Sequence, residues 1–503
     1  MANNGQIARN TLFLYIRMVV VMCISLYTTR LILQVLGVDD YGIYSLVCGF
    51  VSMLGFLNTS ITNATQRYYN YQIGQGKVDS VKNVFTSALL IQVLLCGIIV
   101  VLGETVGLWY IENKLVLAVE RQTAALWVYQ FSILTVCVTL FQTPYSAAVM
   151  AFEKMNFYAI ISIIDALLKL IIVVLLNYFE GDKLIYYGLM LFLVSLVSWS
   201  LYVLFVTSKI KCIKLSFPIS TVMLKSILSF SGWNVFSSCS NIVSGQGVNI
   251  LLNTFFGPVV NASRGVANQI MSAIQYFSAN IIVAFRPQLI QSYSAGEYSR
   301  TNFLLFSMSK ISFVLMLVIA LPIVIEIEQI LNLWLGDNVP EYTAVFSSLV
   351  IISMLINILN SPISIMAHAT GNIRRYELVY GLITASILPI SYLFLKMGYG
   401  AEIVYVINIF IVVLNQVCCI INLKRLYPLN LRDYFLNVIF PCLIMSLISP
   451  ILPLMIHSMM PESFVRIFFV FIVSLISVLI AFIVFLSKDE KLLMHNLLKK
   501  IRK

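Results

Sequence analysis

Polar residues recur at helical spacing along the otherwise apolar stretch from Lys225 to Tyr293. Two groups each share one helical face, on either side of a turn at Gly257-Pro258: Asn234, Ser237, Asn241 and Gly245, then Asn268, Ser272, Gln275 and Ala279. Amides that faced lipid tails would lose their hydrogen bonds to water, which is costly. We therefore expect both faces to point at other helices or at a water-filled cavity.

Apolar runs long enough to cross a bilayer recur from one end of the sequence to the other. The pattern predicts about fourteen spans of about 20 residues: 12–36, 42–65, 83–106, 122–143, 157–179, 184–207, 226–252, 262–290, 303–325, 343–367, 377–397, 402–423, 434–456 and 464–486. The links are short, so we expect an all-α polytopic membrane protein without a soluble domain. The first run exceeds the apolar core of a cleavable signal peptide and is expected to stay as a helix.

Composition supports a membrane protein. The 503 residues are 60% hydrophobic and 11% charged, against roughly 25% charged residues in soluble proteins. The net charge is +11, and the basic and acidic residues are distributed unevenly between the two sides of the membrane. Most of the 32 Lys and Arg residues fall in every second link between the predicted spans, and most acids fall in the links between those. This positive-inside pattern predicts that both termini are cytoplasmic. The basic balance therefore reports topology, and no nucleic-acid partner is expected.

The cysteines and histidines predict neither a disulfide framework nor a metal site. Eight of the nine cysteines lie within predicted spans, as buried packing residues do. The three histidines are far apart and have no ligand-like spacing with cysteine. We expect no cofactor.

Short motifs recur about 220 residues apart and predict an internal duplication. Gly37 is matched by Gly257, Ala64 by Ala284, Gly76 by Gly296, and Pro144-Tyr145-Ser146 by Pro362-Ile363-Ser364. Six spans separate the copies, so both halves keep one orientation, and the site of such a protein is expected between two lobes. Chance similarity among apolar segments is the alternative.

The predicted organisation has five parts. They are an N-terminal six-helix lobe (1–208), a basic cytoplasmic linker (209–224), a C-terminal six-helix lobe (225–426), two extra helices (427–487) and a basic amphipathic tail (488–503). Prolines at 441, 450 and 453 are expected to kink the thirteenth span. The tail is expected to lie on the inner membrane surface, attracted by anionic headgroups.

Charged residues inside spans are expensive and therefore informative. A central charge costs about 2.5–3.5 kcal/mol on insertion scales. Asp165 and Lys169 are four apart on the fifth span, which fits either a self-neutralising pair or a switch that releases Lys169 to an anionic substrate or Asp165 to a coupling cation. Arg17 is close enough to the cytoplasmic side to reach the headgroups.

Arg30 and Arg264 lie near the hairpins that begin the two halves. A guanidinium forks onto phosphate oxygens and keeps its charge in a poor dielectric. Two such groups on facing lobes would hold a pyrophosphate; anchoring to lipid headgroups is the alternative for either one.

Several motifs together resemble a known family. They are Asn10, Tyr27-Thr28-Thr29-Arg30, Leu36-Gly37-Val38-Asp39-Asp40-Tyr41-Gly42-Ile43-Tyr44, Arg67-Tyr68, Ala151-Phe152-Glu153-Lys154, Gly265-Val266-Ala267-Asn268-Gln269-Ile270 and Pro287-Gln288. With them the chain resembles the O-antigen and capsule type polysaccharide flippases of the multidrug/oligosaccharidyl-lipid/polysaccharide (MOP) exporter superfamily.

The resemblance implies a two-lobed, MATE-like transporter of the inner (cytoplasmic) membrane. It would move an undecaprenyl-pyrophosphate-linked oligosaccharide to the outer leaflet by alternating access, for surface polysaccharide (O-antigen, lipopolysaccharide) biosynthesis. Glycosyltransferases and a polymerase of the same pathway are candidate partners. A cationic lumen in this family agrees with Arg30, Arg264 and Lys169. The glycan, and whether Na⁺ or H⁺ drives transport, stay open.

Two other functions compete with this interpretation. A cation-coupled multidrug exporter of the same superfamily would have the same lobes. A membrane glycosyltransferase or polymerase would need exposed catalytic carboxylates, and we expect the outer acids Glu326 and Glu328 to have no basic partner nearby. We therefore expect a transporter and not an enzyme.

Overall fold

The structure is a computed structural model that describes residues 4–52, 55–113, 119–256, 258–335 and 339–486. Every regular element in these ranges is a helix. The predicted tail (488–503) and Gly257 of the predicted turn lie outside the described residues. The chain divides into two compact units, the first being Ala8–Val235 and the second consisting of the chain from Phe236 onward together with the residues before Ala8.

The first unit is built from seven helices and the start of an eighth. They are α1 (Asn4–Ser52), α2 (Gly55–Gly74), α3 (Val81–Leu102), α4 (Leu108–Asn113), α5 (Gln122–Ala151), α6 (Met155–Leu175), α7 (Lys183–Lys209) and α8 (Thr221–Phe256). Short 3₁₀ turns lie at Val78–Ser80, Val119–Arg121 and Leu176–Tyr178, and a π-helical turn at Gly103–Gly107. At Gly37 the backbone of α1 leaves the helical region (φ 81°, ψ 172°), where the first predicted span ends.

The second unit continues with α8 and twelve further helices. These are α9 (Pro258–Ser294), α10 (Tyr298–Ile325), α11 (Ile327–Leu335), α12 (Thr343–Asn357), α13 (Asn360–Thr370), α14 (Arg374–Ala385), α15 (Ile387–Lys396), α16 (Ile403–Leu426), α17 (Leu431–Tyr434), α18 (Phe440–Ile448), α19 (Ile451–Met459) and α20 (Phe464–Val484). A π-helical turn, Phe435–Ile439, joins α17 to α18.

Ten segments of the described chain are long and apolar enough to cross a membrane, judged by length and composition. They are Val78–Gly107, Gln122–Ala151, Met155–Tyr178, Lys183–Lys209, Tyr298–Ile325, Thr343–Thr370, Arg374–Lys396, Ile403–Leu426, Leu431–Met459 and Phe464–Val484. The other four predicted spans fall in α1, α2, α8 and α9. The prediction of an all-α polytopic membrane protein is confirmed.

Several prolines of the second unit lie at helix interruptions, whereas Pro287 and Pro322 lie inside α9 and α10. Proline lacks an N–H and clashes with the carbonyl four residues earlier. Pro362 follows the break between α12 and α13 at Ile358, and Pro389 follows the break between α14 and α15 at Ser386. In the thirteenth span the helix is interrupted by the π-helical turn before Pro441 and by the end of α18 before Pro450, whereas Pro453 lies in the first turn of α19 without a break of its own. A break in a helix leaves backbone carbonyls without their usual hydrogen bonds, and such carbonyls are tolerated in a membrane where they line a polar cavity.

One expectation about the outer acids is wrong. Glu326, whose carboxylate is fully buried between α10 and α11, does have basic partners. An Nη2 of Arg466 in α20 donates to it at 2.9 Å, and Nδ1 of His457 in α19 lies 2.9 Å from its other oxygen. Arg466 also donates to Oε1 of Gln329 at 3.0 Å. The partners are 131 and 140 residues away in the chain, so neighbouring sequence could not reveal them.

Candidate functional site

A cavity of about 370 Å³ lies inside the second unit. Its wall is formed by α8, α9, α12, α13, α14, α15 and α16, with one residue from α10. Both proline-induced breaks border it, through Ile358 and Ile387. Amides, hydroxyls and apolar side chains all contribute to the wall, and among the described residues that line it there is no Asp, Glu, Lys or His.

Arg264 supplies the positive charge of this cavity. One of its Nη2 hydrogens goes to the carbonyl oxygen of Gly245 on α8 at 3.0 Å, and the guanidinium lies 5.9 Å from the centre of the Tyr405 ring. Its Nε is buried and has no hydrogen-bond partner. Arginine keeps its charge in a poor dielectric, and none of the lining residues that the structure describes carries a carboxylate. The guanidinium is therefore available to an anionic group.

Three of the predicted amides line the same cavity. Asn268 and Gln275 lie on α9, on the face that carries Arg264, and Asn241 lies opposite on α8. Gln275 lies eleven positions after Arg264, which is about 16 Å along the helix axis. The polar wall is therefore long enough to contact more than one group of an extended ligand.

The other three predicted polar residues are elsewhere. Ser237 is buried and its carbonyl accepts a hydrogen bond from Nδ2 of Asn241 at 3.0 Å. Ser272 is exposed and donates to the carbonyl of Asn268 at 2.9 Å. Asn234 is buried and belongs to the first unit. None of the three lines the cavity.

Asp165 and Lys169 form a salt bridge within α6, with Nζ and Oδ2 2.8 Å apart. Ser198 on α7 donates to the second carboxylate oxygen at 3.1 Å. The side chains of Asp165 and Lys169 remain 31% and 47% exposed, so the salt bridge is formed but both groups are still accessible. The self-neutralising arrangement is therefore present in this structure.

Two other charged residues that the sequence analysis singled out, Arg17 and Arg30, lie in α1. Nη1 of Arg17 donates to Oγ of Ser162 at 3.4 Å, and its guanidinium lies 5.0 Å from the centre of the Tyr158 ring. Arg17 therefore contacts protein groups on α6. Arg30 lies in α1, and its side chain is outside the described part of the structure.

Several lining residues were not predicted. Tyr405, Asn408 and Asn415 line the cavity from α16, and Ser353, Asn357 and Ser361 line it from α12 and α13. Each group recurs at three-, four- or seven-residue spacing within a predicted span. The same periodicity that identified the face of α9 would have identified these.

These features define an integral membrane protein whose second helical unit contains a polar, cationic cavity. The fold is that of MATE transporters, as three solved structures show. An outward-facing multidrug resistance MATE family transporter of the MOP superfamily has a TM-score of 0.73 at 14% identity, over 84% of this chain and 97% of the other. A MATE structure in the straight conformation gives 0.72 at the same identity and shares.

The third structure is a MOP superfamily transporter from Pyrococcus furiosus. It gives a TM-score of 0.66 at 14% identity, over 84% of this chain and 97% of that one, and it is described as having a binding pocket of reverse polarity that suggests a different function. No protein-family model and no curated protein matches the chain. The similarity therefore lies in the fold.

Proposed function

We propose that this protein is a flippase that moves an undecaprenyl-pyrophosphate-linked oligosaccharide from the cytoplasmic to the outer leaflet of the inner membrane. The observation that carries the proposal is the charge of the cavity: Arg264 lines it, and no Asp or Glu of the described chain does. An anionic, hydroxyl-rich headgroup fits such a wall.

The physical task is to pass sugars and phosphates through about 30 Å of hydrocarbon. Inside the cavity Arg264 replaces water around the phosphate oxygens, and amides such as Asn268 and Gln275 replace water around the sugar hydroxyls. The prenyl tail stays in lipid throughout. Because the substrate must also leave, one arginine with neutral polar groups suits transport better than a tightly binding cluster of charges.

A multidrug exporter is the second candidate, and a specific feature favours it. Three methionines, Met271, Met316 and Met354, line the cavity among its apolar residues. Methionine is flexible and polarisable, and it is common at surfaces that bind many different apolar ligands. A cationic drug would, however, meet Arg264 without a compensating carboxylate from the wall.

Flipping can be measured in proteoliposomes that contain the full chain and a fluorescent polyprenyl-pyrophosphate disaccharide. Label that reaches the outer leaflet is bleached by a membrane-impermeant reductant, so the bleached fraction reports translocation. We expect Arg264→Ala to lower the rate about tenfold or more, since a hydrogen bond to a charged group contributes about 1.5–3 kcal/mol. Arg264→Lys keeps the charge and should lose less.

Arg375→Ala is the matched control, because Arg375 is an exposed arginine of the same unit and does not line the cavity. Translocation by the wild-type protein that is no faster than in empty liposomes would exclude the flippase, as would an unchanged rate for Arg264→Ala. Efflux of cationic dyes from the same vesicles, unaffected by Arg264→Ala, would instead support the multidrug exporter.

A further inference from the structure

We infer that the part of the cavity around Asn415 and Thr384 is a sugar subsite that accepts hydroxyl and acetamido groups and rejects carboxylates. The inference rests on the proposed function and specifies it: the transported glycan is neutral where it contacts α14 and α16. Arg264 determines the binding of the phosphate, whereas Asn415 determines which sugar follows it.

The orientation of the Asn415 amide is fixed by its neighbours. Thr384 donates its hydroxyl hydrogen to the carbonyl oxygen of Tyr380 at 2.8 Å, which leaves Oγ1 as an acceptor. Nδ2 of Asn415 donates to this oxygen at 3.1 Å. Oδ1 of Asn415 is therefore the end of the amide that is not engaged. It is buried and has no hydrogen-bond partner, in a side chain that is 5% exposed and borders the cavity.

Two other donors of the wall, on α8, are also directed at protein oxygens. Ser244 donates to the carbonyl of Thr384 at 3.0 Å, and an Nδ2 hydrogen of Asn241 goes to the carbonyl of Ser237 at 3.0 Å. An acceptor that is buried without a partner costs free energy until a donor arrives. A sugar hydroxyl or an amide N–H supplies that donor, whereas a carboxylate would place negative charge against Oδ1 and supply none.

This subsite is separate from the phosphate position. Tyr405, which stacks beside Arg264, and Asn415 are ten residues apart on α16, or about 15 Å along the helix axis. A headgroup that spans both positions has an anionic group at one end and a donor-bearing ring at the other. No second basic residue lines the described cavity that would neutralise an acidic sugar.

The test measures the affinity of the full chain in lipid nanodiscs for three farnesyl-pyrophosphate probes. One carries no sugar, one carries N-acetylglucosamine and one carries glucuronic acid. We expect the N-acetylglucosamine probe to bind about tenfold more tightly than the glucuronic acid probe. The first donates a hydrogen bond to Oδ1 of Asn415, and the second leaves this acceptor unpaired. Asn415→Leu keeps the volume but removes the acceptor, and should abolish this preference while the sugar-free probe still binds through Arg264.

Thr384→Val separates the inferred role from a merely structural one. Valine keeps the shape of threonine but removes the acceptor that holds Nδ2, so the amide can turn and offer its N–H groups to the cavity. The glucuronic acid probe should then gain affinity relative to the N-acetylglucosamine probe. Asn249→Leu is the control, because Asn249 lies on α8 outside the cavity and bonds to Gln246.

The outcomes distinguish the two proposals. If no probe binds, or if binding does not depend on Arg264, the proposed function fails. If the sugar-free probe binds through Arg264 but the two sugars bind equally, or if Asn415→Leu leaves the preference intact, the sugar subsite fails alone.

Discussion

Gly76 and Gly296 end their helices with the same left-handed backbone turn, 220 residues apart. Their φ angles are 71° and 79°, and each N–H donates to the carbonyl three residues earlier, at 3.0 Å in both cases. The next residue in each copy donates to the carbonyl five residues before it, at 3.0 Å for Lys77 and 3.1 Å for Glu297. The two copies of the predicted repeat therefore end this helix with the same two backbone hydrogen bonds and with the same left-handed conformation, which favours glycine.

We predict that Gly76→Ala and Gly296→Ala destabilise the protein by similar amounts, about 1–2 kcal/mol each. A Cβ at either position meets nothing within 4 Å, so the cost arises from the backbone conformation alone. Gly97→Ala is the control, because Gly97 lies inside α3 with equally open surroundings and an ordinary helical backbone. Thermal unfolding in detergent measures all three. A Gly97→Ala loss as large as the other two would contradict the conformational explanation.

The sequence pattern predicted much of the fold because the fold depends on local properties. Length and apolarity identify a span, and glycine or proline marks where it ends or breaks. Gly37, Pro441 and Pro450 are found at such positions. The alternating basic and acidic links likewise predict the orientation of the chain from local features, and the cytoplasmic location of both termini stays a prediction.

The cavity was predicted less completely, because periodicity identifies a face but not what the face contacts. Ser272 has the same spacing as Asn268 and Gln275, yet its hydroxyl bonds back to the carbonyl four residues earlier, as serine in a helix commonly does. Asn415 was missed although its spacing from Asn408 is helical. Lys310, which is 2% exposed inside α10, was also missed as an intramembrane charge.

The ion pair between Glu326 and Arg466 ties α20 to the junction of α10 and α11, and we predict that Arg466→Ala is strongly destabilising. Breaking a buried pair by removing one partner typically costs about 3–5 kcal/mol, because the other charge stays buried and uncompensated. Glu326→Gln combined with Arg466→Met should recover much of that loss. Unfolding temperature and protease resistance of the α19–α20 link measure the effect.

The exposed Arg432 of α17 provides the control for this pair, since it belongs to the same C-terminal region of the chain. Arg432→Ala should change the free energy of unfolding by no more than about 0.5 kcal/mol, as surface substitutions do. If Arg466→Ala proved equally mild, the pair would contribute nothing to holding α20.

We predict that Asp165 and Lys169 act chiefly as a neutralising pair. Asp165→Asn leaves a lysine without its counter-ion inside a span, and Lys169→Gln leaves an aspartate, so each single variant should lower the yield of folded protein. The double variant removes both charges and should recover the yield and most of the flipping rate. A double variant that folds well but no longer flips the substrate would instead assign Lys169 to substrate binding or Asp165 to a coupling cation.

Arg264 should make the cavity selective for negatively charged reagents, and this prediction does not require the natural substrate. Asn268→Cys, in a background without the native cysteines, places a thiol one helical turn from the guanidinium on the same face of α9. An anionic methanethiosulfonate should react with it about three- to tenfold faster than a cationic one, because a nearby fixed charge concentrates ions of opposite sign. Arg264→Ala should remove or reverse this ratio.

Ile480→Cys is the control, because Ile480 lies on the apolar helix α20 and is 57% exposed, so that a thiol there reports the reactivity of a lipid-facing position. Labelling at position 268 that is no faster than at 480 would mean that water does not reach the wall of the cavity, and an equal rate for both reagents would mean that Arg264 does not set its charge.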